Sequence, residues 1–137
     1  MNKLNGILLV DDDKTTNFLN RLLLEDLAVA DRVLVAENGR EALRLVEQQD
    51  KEGACPTLIL LDINMPVMSG FEFLEAYTRT EVSCKQNIVI VMLTTSLHPK
   101  DVNRLHEMPI QGMLSKPLTR QKVQDLMHQH FHQELPA

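Results

Sequence analysis

Short apolar runs alternate with amphipathic stretches along this chain. Ile7–Val10 reads "ILLV" and meets "DDD" at once. Val33–Ala36, "VLVA", runs into Glu37-Asn38-Gly39, and Leu58–Leu61, "LILL", runs into Asp62. Residues 88–93, "IVIVML", precede Thr94, Thr95 and Ser96, and a weaker pair, Met113-Leu114, precedes Ser115, Lys116 and Pro117. Runs that are apolar at every position predict strands buried on both faces, the mark of a parallel sheet.

The segments between them carry helical periodicity. Phe18, Leu19, Leu22, Leu23 and Leu27 form one apolar stripe, and Ala42, Leu43 and Val46 another. Ser69 with Glu72 three residues on predicts a capping box, opening a helix that carries Phe71, Leu74 and Tyr77. Pro99 suits a first helical position, with Val102 and Leu105 following at helical spacing; Val123, Leu126, Met127 and His130 give the last stripe. Five βα units predict an α/β fold, a flavodoxin-like three-layer sandwich with helices on both faces of a parallel sheet. Five are too few for a closed eight-unit barrel. The expectation is a single domain over residues 1–137.

The bulk numbers narrow the function. At −5 the net charge is acidic and no basic block stands out, so neither nucleic acid nor an anionic membrane surface is expected as a direct partner. The first apolar stretch is four residues long and acids follow it, so no secretory signal is read. No run approaches the roughly 20 apolar residues of a membrane span. A cytoplasmic location is expected, and Cys55 and Cys84, which lack CxxC spacing, are expected as reduced thiols.

The polar residues fall where the strands end. Asp11 and Asp12 follow the first strand, Asp62 the third, Thr94 the fourth and Lys116 the fifth. Ligands of open α/β sheets bind at the carboxyl ends of strands, where strand order reverses; for the order 2-1-3-4-5 that point lies between strands 1 and 3. Three carboxylates converging there repel one another unless a pKa rises or a hard cation neutralises them. Mg²⁺ prefers oxygen ligands and is commonly held by one or two carboxylates plus phosphate. Strands 3 and 5 lie roughly 10 Å apart, a gap that an extended lysine largely bridges. A cation, a lysine and a hydroxyl around one carboxylate suit a phosphoryl group on Asp62.

These motifs carry a family likeness. "ILLVDDD", "LLDINMPVMSG", "MLTTS" and "SKP" occur in order, each at a strand end, and over essentially its whole length the sequence resembles the receiver domain of bacterial response regulators, most of all the stand-alone chemotaxis and phytochrome-associated types. The resemblance implies a signalling switch without an output domain. It would accept a phosphoryl group on Asp62 from a sensor histidine kinase or phosphotransfer protein. It implies Asp12 and Asp62 as direct Mg²⁺ ligands, Asp11 acting through water, and Asn64 through its backbone carbonyl. Thr94 would be the switch hydroxyl, Lys116 would contact the acyl phosphate, and the Lys116–Pro117 bond would be cis. Catalysis would extend only to its own phosphorylation and dephosphorylation. The downstream target would bind the face of the fourth helix, fifth strand and fifth helix. Two positions depart from the pattern: Met113 replaces a common Tyr or Phe, and Ser96 stands where fast self-hydrolysing members often carry an acid or amide.

Other readings of the same residues are weaker. A phosphohydrolase with an aspartyl-phosphate intermediate usually has an acid two residues after its nucleophile; here that residue is Asn64. A flavodoxin-like cofactor binder would need a phosphate loop where acids stand. Gly70 and Asn38-Gly39 read as turn and cap residues, and His128 and His132 as a surface helix face with no supporting metal ligands.

Overall fold

The computed structural model describes residues 3–94, 103–104 and 107–132. Five parallel strands form one sheet in the order β2-β1-β3-β4-β5: β1 Ile7–Val10, β2 Val33–Ala36, β3 Leu58–Leu61, β4 Val89–Thr94 and β5 Gly112–Ser115. The expected strand positions and order are observed, with β4 one residue later than the apolar run. The helices among the described residues are α1 Lys14–Leu27, α2 Gly39–Lys51, α3 Gly70–Arg79 and α4 Arg120–Phe131, with a 3-10 turn at Lys85–Asn87. The helix expected from Pro99 falls largely outside the described residues, Val102 and Leu105 included; Asn103 and Arg104 are helical.

Two apolar layers follow from strand alternation. Leu8, Val10, Ile59, Leu61, Ile90 and Met92 face α2 and α3, where Ala42, Val46, Phe73 and Leu74 meet them. Ile7, Leu9, Leu58, Leu60, Val91 and Leu93 face α1 and α4, where Leu24, Leu27, Val123 and Met127 meet them. Because both faces are covered, the central strands carry no polar position until they end.

Local signals explain most boundaries. Asp13 caps α1, accepting from Thr15 N at 3.1 Å and from the Thr16 hydroxyl at 2.6 Å. Asn38 caps α2, and the Ser69–Glu72 capping box opens α3. Gly70 has a packing reason: a Cβ there would collide with the Asp62 carbonyl and lie 3.0 Å from Ile63 Cα. Gly39 likewise has no room for a side chain, because the Met68 carbonyl lies 2.8 Å from where its Cβ would be. Val67 sits at φ 69°, a left-handed conformation that a β-branched residue adopts only with strain.

Two expectations are overturned. The α1 stripe does not all face the core: Phe18, Leu19 and Leu22 are 61%, 57% and 49% exposed. The buried face is Asn17, Asn20, Leu24 and Leu27, with Leu23 partly covered. Two asparagines hold inward positions that an apolar count skips, which displaces the inferred stripe by about one residue. The cysteines, expected apart and reduced, are joined as Cys55–Cys84. β3 and β4 are neighbours in register, Leu58 opposite Val89, so the loops leading into them run side by side. Linear spacing cannot reveal that. A bond spanning 29 residues restricts the unfolded chain and stabilises by roughly 2–4 kcal/mol.

Gly70→Ala is expected to destabilise the protein by roughly 1–3 kcal/mol, since the new methyl must displace backbone rather than a flexible side chain. Urea unfolding checks this, with the midpoint falling at unchanged slope.

Candidate functional site

The parallel register brings the ends of β1 and β3 together, Val10 opposite Leu61. The next residues are Asp11 and Asp62. Their backbones are locked: Asp11 N–H donates to Ala36 O at 3.1 Å, and Asp62 N–H to Val10 O at 2.9 Å. Asp11, Asp12 and Asp62 each place a carboxylate oxygen within 4.8 Å of the others'. Asp11 and Asp62 are buried, while Asp12 is exposed. The capping role that one acid of "DDD" had to fill belongs to Asp13, so Asp11 and Asp12 are left to the pocket. The hydroxyl of Thr16 and backbone N–H of Thr15 hold the Asp13 carboxyl below its usual range.

Lys116 reaches this pocket from the end of β5, two strands beyond Asp62. Its ammonium pairs with Asp11 Oδ2 and lies 3.6 Å from Asp62 Oδ2. The Lys116–Pro117 bond is cis, as the resemblance implied. Burial acts to lower the Lys116 pKa, but the hydrogen bond to Asp11 and the charges of Asp62 and Asp11 outweigh it and leave the ammonium above its usual range. It therefore stays charged.

Asp62 is the strained member. Its Oδ1 accepts from Ile63 N–H at 2.9 Å. Burial pushes its carboxyl up and the neighbouring Asp11 charge pushes it further, with Lys116 and the Ile63 N–H only partly opposing. Asn64 is exposed on the β3–α3 loop, two residues beyond. Thr94 ends β4 opposite Ser115; its side chain lies outside the described residues, as does Ser96.

Sequence reasoning missed Asn17. Its Nδ2 donates to the Asp11 carbonyl at 2.8 Å, tying α1 to the acidic loop, while Asp11 Oδ1 accepts from Asp13 N–H at 2.9 Å. The available signal was a polar residue at i and i+3 inside an apolar period, at Asn17 and Asn20. The histidines stand as expected: His128 and His132 are exposed. His130 packs toward Gly112, where a Cβ would lie 3.3 Å from its Nε2, and burial lowers its pKa.

An acidic pocket at the switch point of a 2-1-3-4-5 sheet, with a lysine aimed into it, defines an α/β domain whose strand ends carry a carboxylate cluster suited to a cation. Residues 7–128 match the response regulator receiver domain family, to which this chain belongs. It is similar to response regulator Rcp1 of Synechocystis sp., 32% identical over 112 residues that cover 80% of this chain and 75% of that protein. A two-component response regulator from Cytophaga hutchinsonii superposes with a TM-score of 0.86 at 26% identity, covering 96% of this chain and all of the other. Chemotaxis protein CheY4 of Vibrio cholerae gives 0.75 at 30% identity, covering 90% and 95%. The chain is a phosphorylation-dependent switch of two-component signalling rather than a phosphohydrolase, and receiver domains of this kind work with histidine kinases and downstream targets.

In metal-free protein the crowding at Asp62 sets a pH dependence. A carboxyl raised in the folded state contributes stability that is present below its unfolded pKa and lost as pH rises through the folded value. Asp62→Asn removes that loss. With chelator present, the variant should melt about 3–5 °C above wild type near neutral pH, the shift of a gain of about 1 kcal/mol in a chain of this size. The difference should shrink as pH falls, because the raised Asp62 carboxyl takes up its proton at a higher pH than an ordinary aspartate does. Thermal melts across this range check it.

Proposed function

We propose that Asp62 is the phosphoacceptor of a cytoplasmic receiver domain. The observation that carries this is the placement of Asp62: buried, at a strand end, its pKa raised, within reach of one lysine and beside two further acids. In the transfer, a carboxylate oxygen of Asp62 attacks phosphorus, the bond from phosphorus to the donor's histidine nitrogen breaks, and the imidazole leaves with its electron pair. Lys116 steadies the phosphoryl oxygens, and the Thr94 hydroxyl takes the switch role.

The acidic trio fits a hard divalent cation, since its oxygens crowd together with one lysine, Lys116, to balance them among the described residues. Asp12 and Asp62 directly, Asp11 through water and Asn64 through its backbone carbonyl would hold Mg²⁺. When bound, the ion neutralises charge developing on the transferred group. Phosphorylation and dephosphorylation of its own Asp62 are the only chemistry proposed for the chain.

The donor reaches the site over α1. The exposed ridge of Phe18, Leu19 and Leu22 borders a groove of about 540 Å³ lined by Leu19, Leu23, Lys116, Pro117 and Leu118. An exposed apolar patch beside a functional pocket is what a helix-bearing donor would cover. The output surface is the face of the predicted fourth helix, β5 and α4. Met113, 37% exposed on β5, gives that face a flexible side chain in place of an aromatic ring.

Wild type treated with a small phosphodonor and Mg²⁺ should gain one phosphate by intact mass, and Asp62→Asn none. An equal adduct on the variant rules out Asp62. Asp12→Ala should lose most of the Mg²⁺-induced rise in melting temperature while its metal-free stability holds or rises, because one of several crowded like charges has gone. Leu22→Glu should slow transfer from a phosphohistidine donor about tenfold, equivalent to about 1.4 kcal/mol. It should leave uptake from the small donor unchanged. Single-turnover transfer assays with both donors separate docking from chemistry.

A further inference from the structure

At the sheet end opposite the acidic pocket, Cys55 precedes β3 and Cys84 precedes β4, and the two are bonded with Cα atoms 6.5 Å apart. We propose that this pair is a reversible oxidation site, a dithiol that closes by exchange with a low-molecular-weight disulfide and opens with the matching thiol.

Three observations favour a couple that can close again after opening. Each cysteine is half-buried, so a small reagent can reach it. Other bonds keep the two loops together without the sulfur link. Asp50, near the end of α2, accepts from Ser83 N–H at 3.2 Å and from the Ser83 hydroxyl at 2.7 Å, anchoring the residue before Cys84. On the other side Arg32 donates to the Ala54 carbonyl, and Ala54 N–H donates to Gln49 O at 2.8 Å, anchoring the residue before Cys55. A dithiol held this way closes without a long loop search.

Asp50 Oδ1 lies 3.5 Å from the Cys55 sulfur, and its carboxylate is within 4.8 Å of both sulfurs. The thiolate of one cysteine attacks a sulfur of the small disulfide, releasing one small thiolate and leaving a mixed disulfide on that cysteine. The second cysteine then loses its proton to solvent and attacks the protein sulfur of the mixed disulfide, expelling the second small thiolate. The protein loses two protons and two electrons, and the reagent becomes two thiols.

The bond encloses β3, the Asp62 loop and α3, yet it touches none of the pocket residues. Closing it therefore tunes the stability of the unit that carries Asp62 and leaves the chemistry at Asp62 alone. This holds whether or not Asp62 is the phosphoacceptor, because the readouts are independent.

The test equilibrates the full-length protein with graded mixtures of oxidised and reduced glutathione, traps free thiols by alkylation and weighs the intact chain. The closed fraction should pass from a tenth to nine-tenths over a roughly eightyfold change in the ratio of glutathione disulfide to the square of glutathione, as a two-electron couple requires. Peptide mapping should find the Cys55–Cys84 link. The closed form should melt several degrees higher, and Cys55→Ser and Cys84→Ser should each abolish the response while still taking up phosphate from a small donor. Four results would overturn the proposal: no intramolecular bond at any ratio, dimers or stable mixed disulfides instead, a bond that excess dithiothreitol cannot open in the native protein, or a dithiol that resists closure because Zn²⁺ holds it with Asp50.

Discussion

Charge crowding at the end of β1 and β3 is the constraint on which the rest of this molecule depends. A parallel sheet delivers Asp11 and Asp62 to the same rim, and burial denies them water. Lys116 is the compensating charge at hand, and it is divided between two carboxylates. Such an arrangement is poorly satisfied by itself and well suited to a guest. A cation would relieve the repulsion, and a phosphoryl group would give the lysine a better partner than a second aspartate.

The supporting structure makes sense as a means of keeping that crowding in place. Both sheet faces are sealed by helices, so the pocket cannot relax by spreading its strands. Asp13 takes the helix cap and frees its two neighbours. Asn17 fixes the loop between them from the inside, at the expense of an apolar contact in α1. Gly70 lets α3 begin against the Asp62 carbonyl, which holds the Asp62 loop close to the sheet.

Much of this was legible from the chain. Strands buried on both faces announce themselves as unbroken apolar runs, so β1, β2 and β3 were readable to the residue, and the acids that end them were readable with them. The capping box at Ser69 was equally plain. What could not be read depended on the third dimension. The facing of α1 turned on two buried asparagines, Asn17 and Asn20; Asn17 donates to the Asp11 carbonyl, and a polar residue with a backbone partner looks like a surface residue in a sequence. The Cys55–Cys84 pairing depended on which strands are neighbours, information held by topology and not by the interval between two letters. The likeness to receiver domains supplied residue roles that geometry by itself would have left open.

Val67 shows what such a loop costs the chain. The exposed residue after Pro66 holds a backbone angle at which glycine is at ease and a β-branched residue is not, a penalty of order 1–3 kcal/mol. Nothing in its packing depends on the valine methyls, since the side chain points largely into solvent. The protein therefore carries an unrealised reserve of thermal tolerance in the loop that follows Asp62. Selection for heat resistance would find its first gain there, at a position that leaves every acid of the pocket untouched.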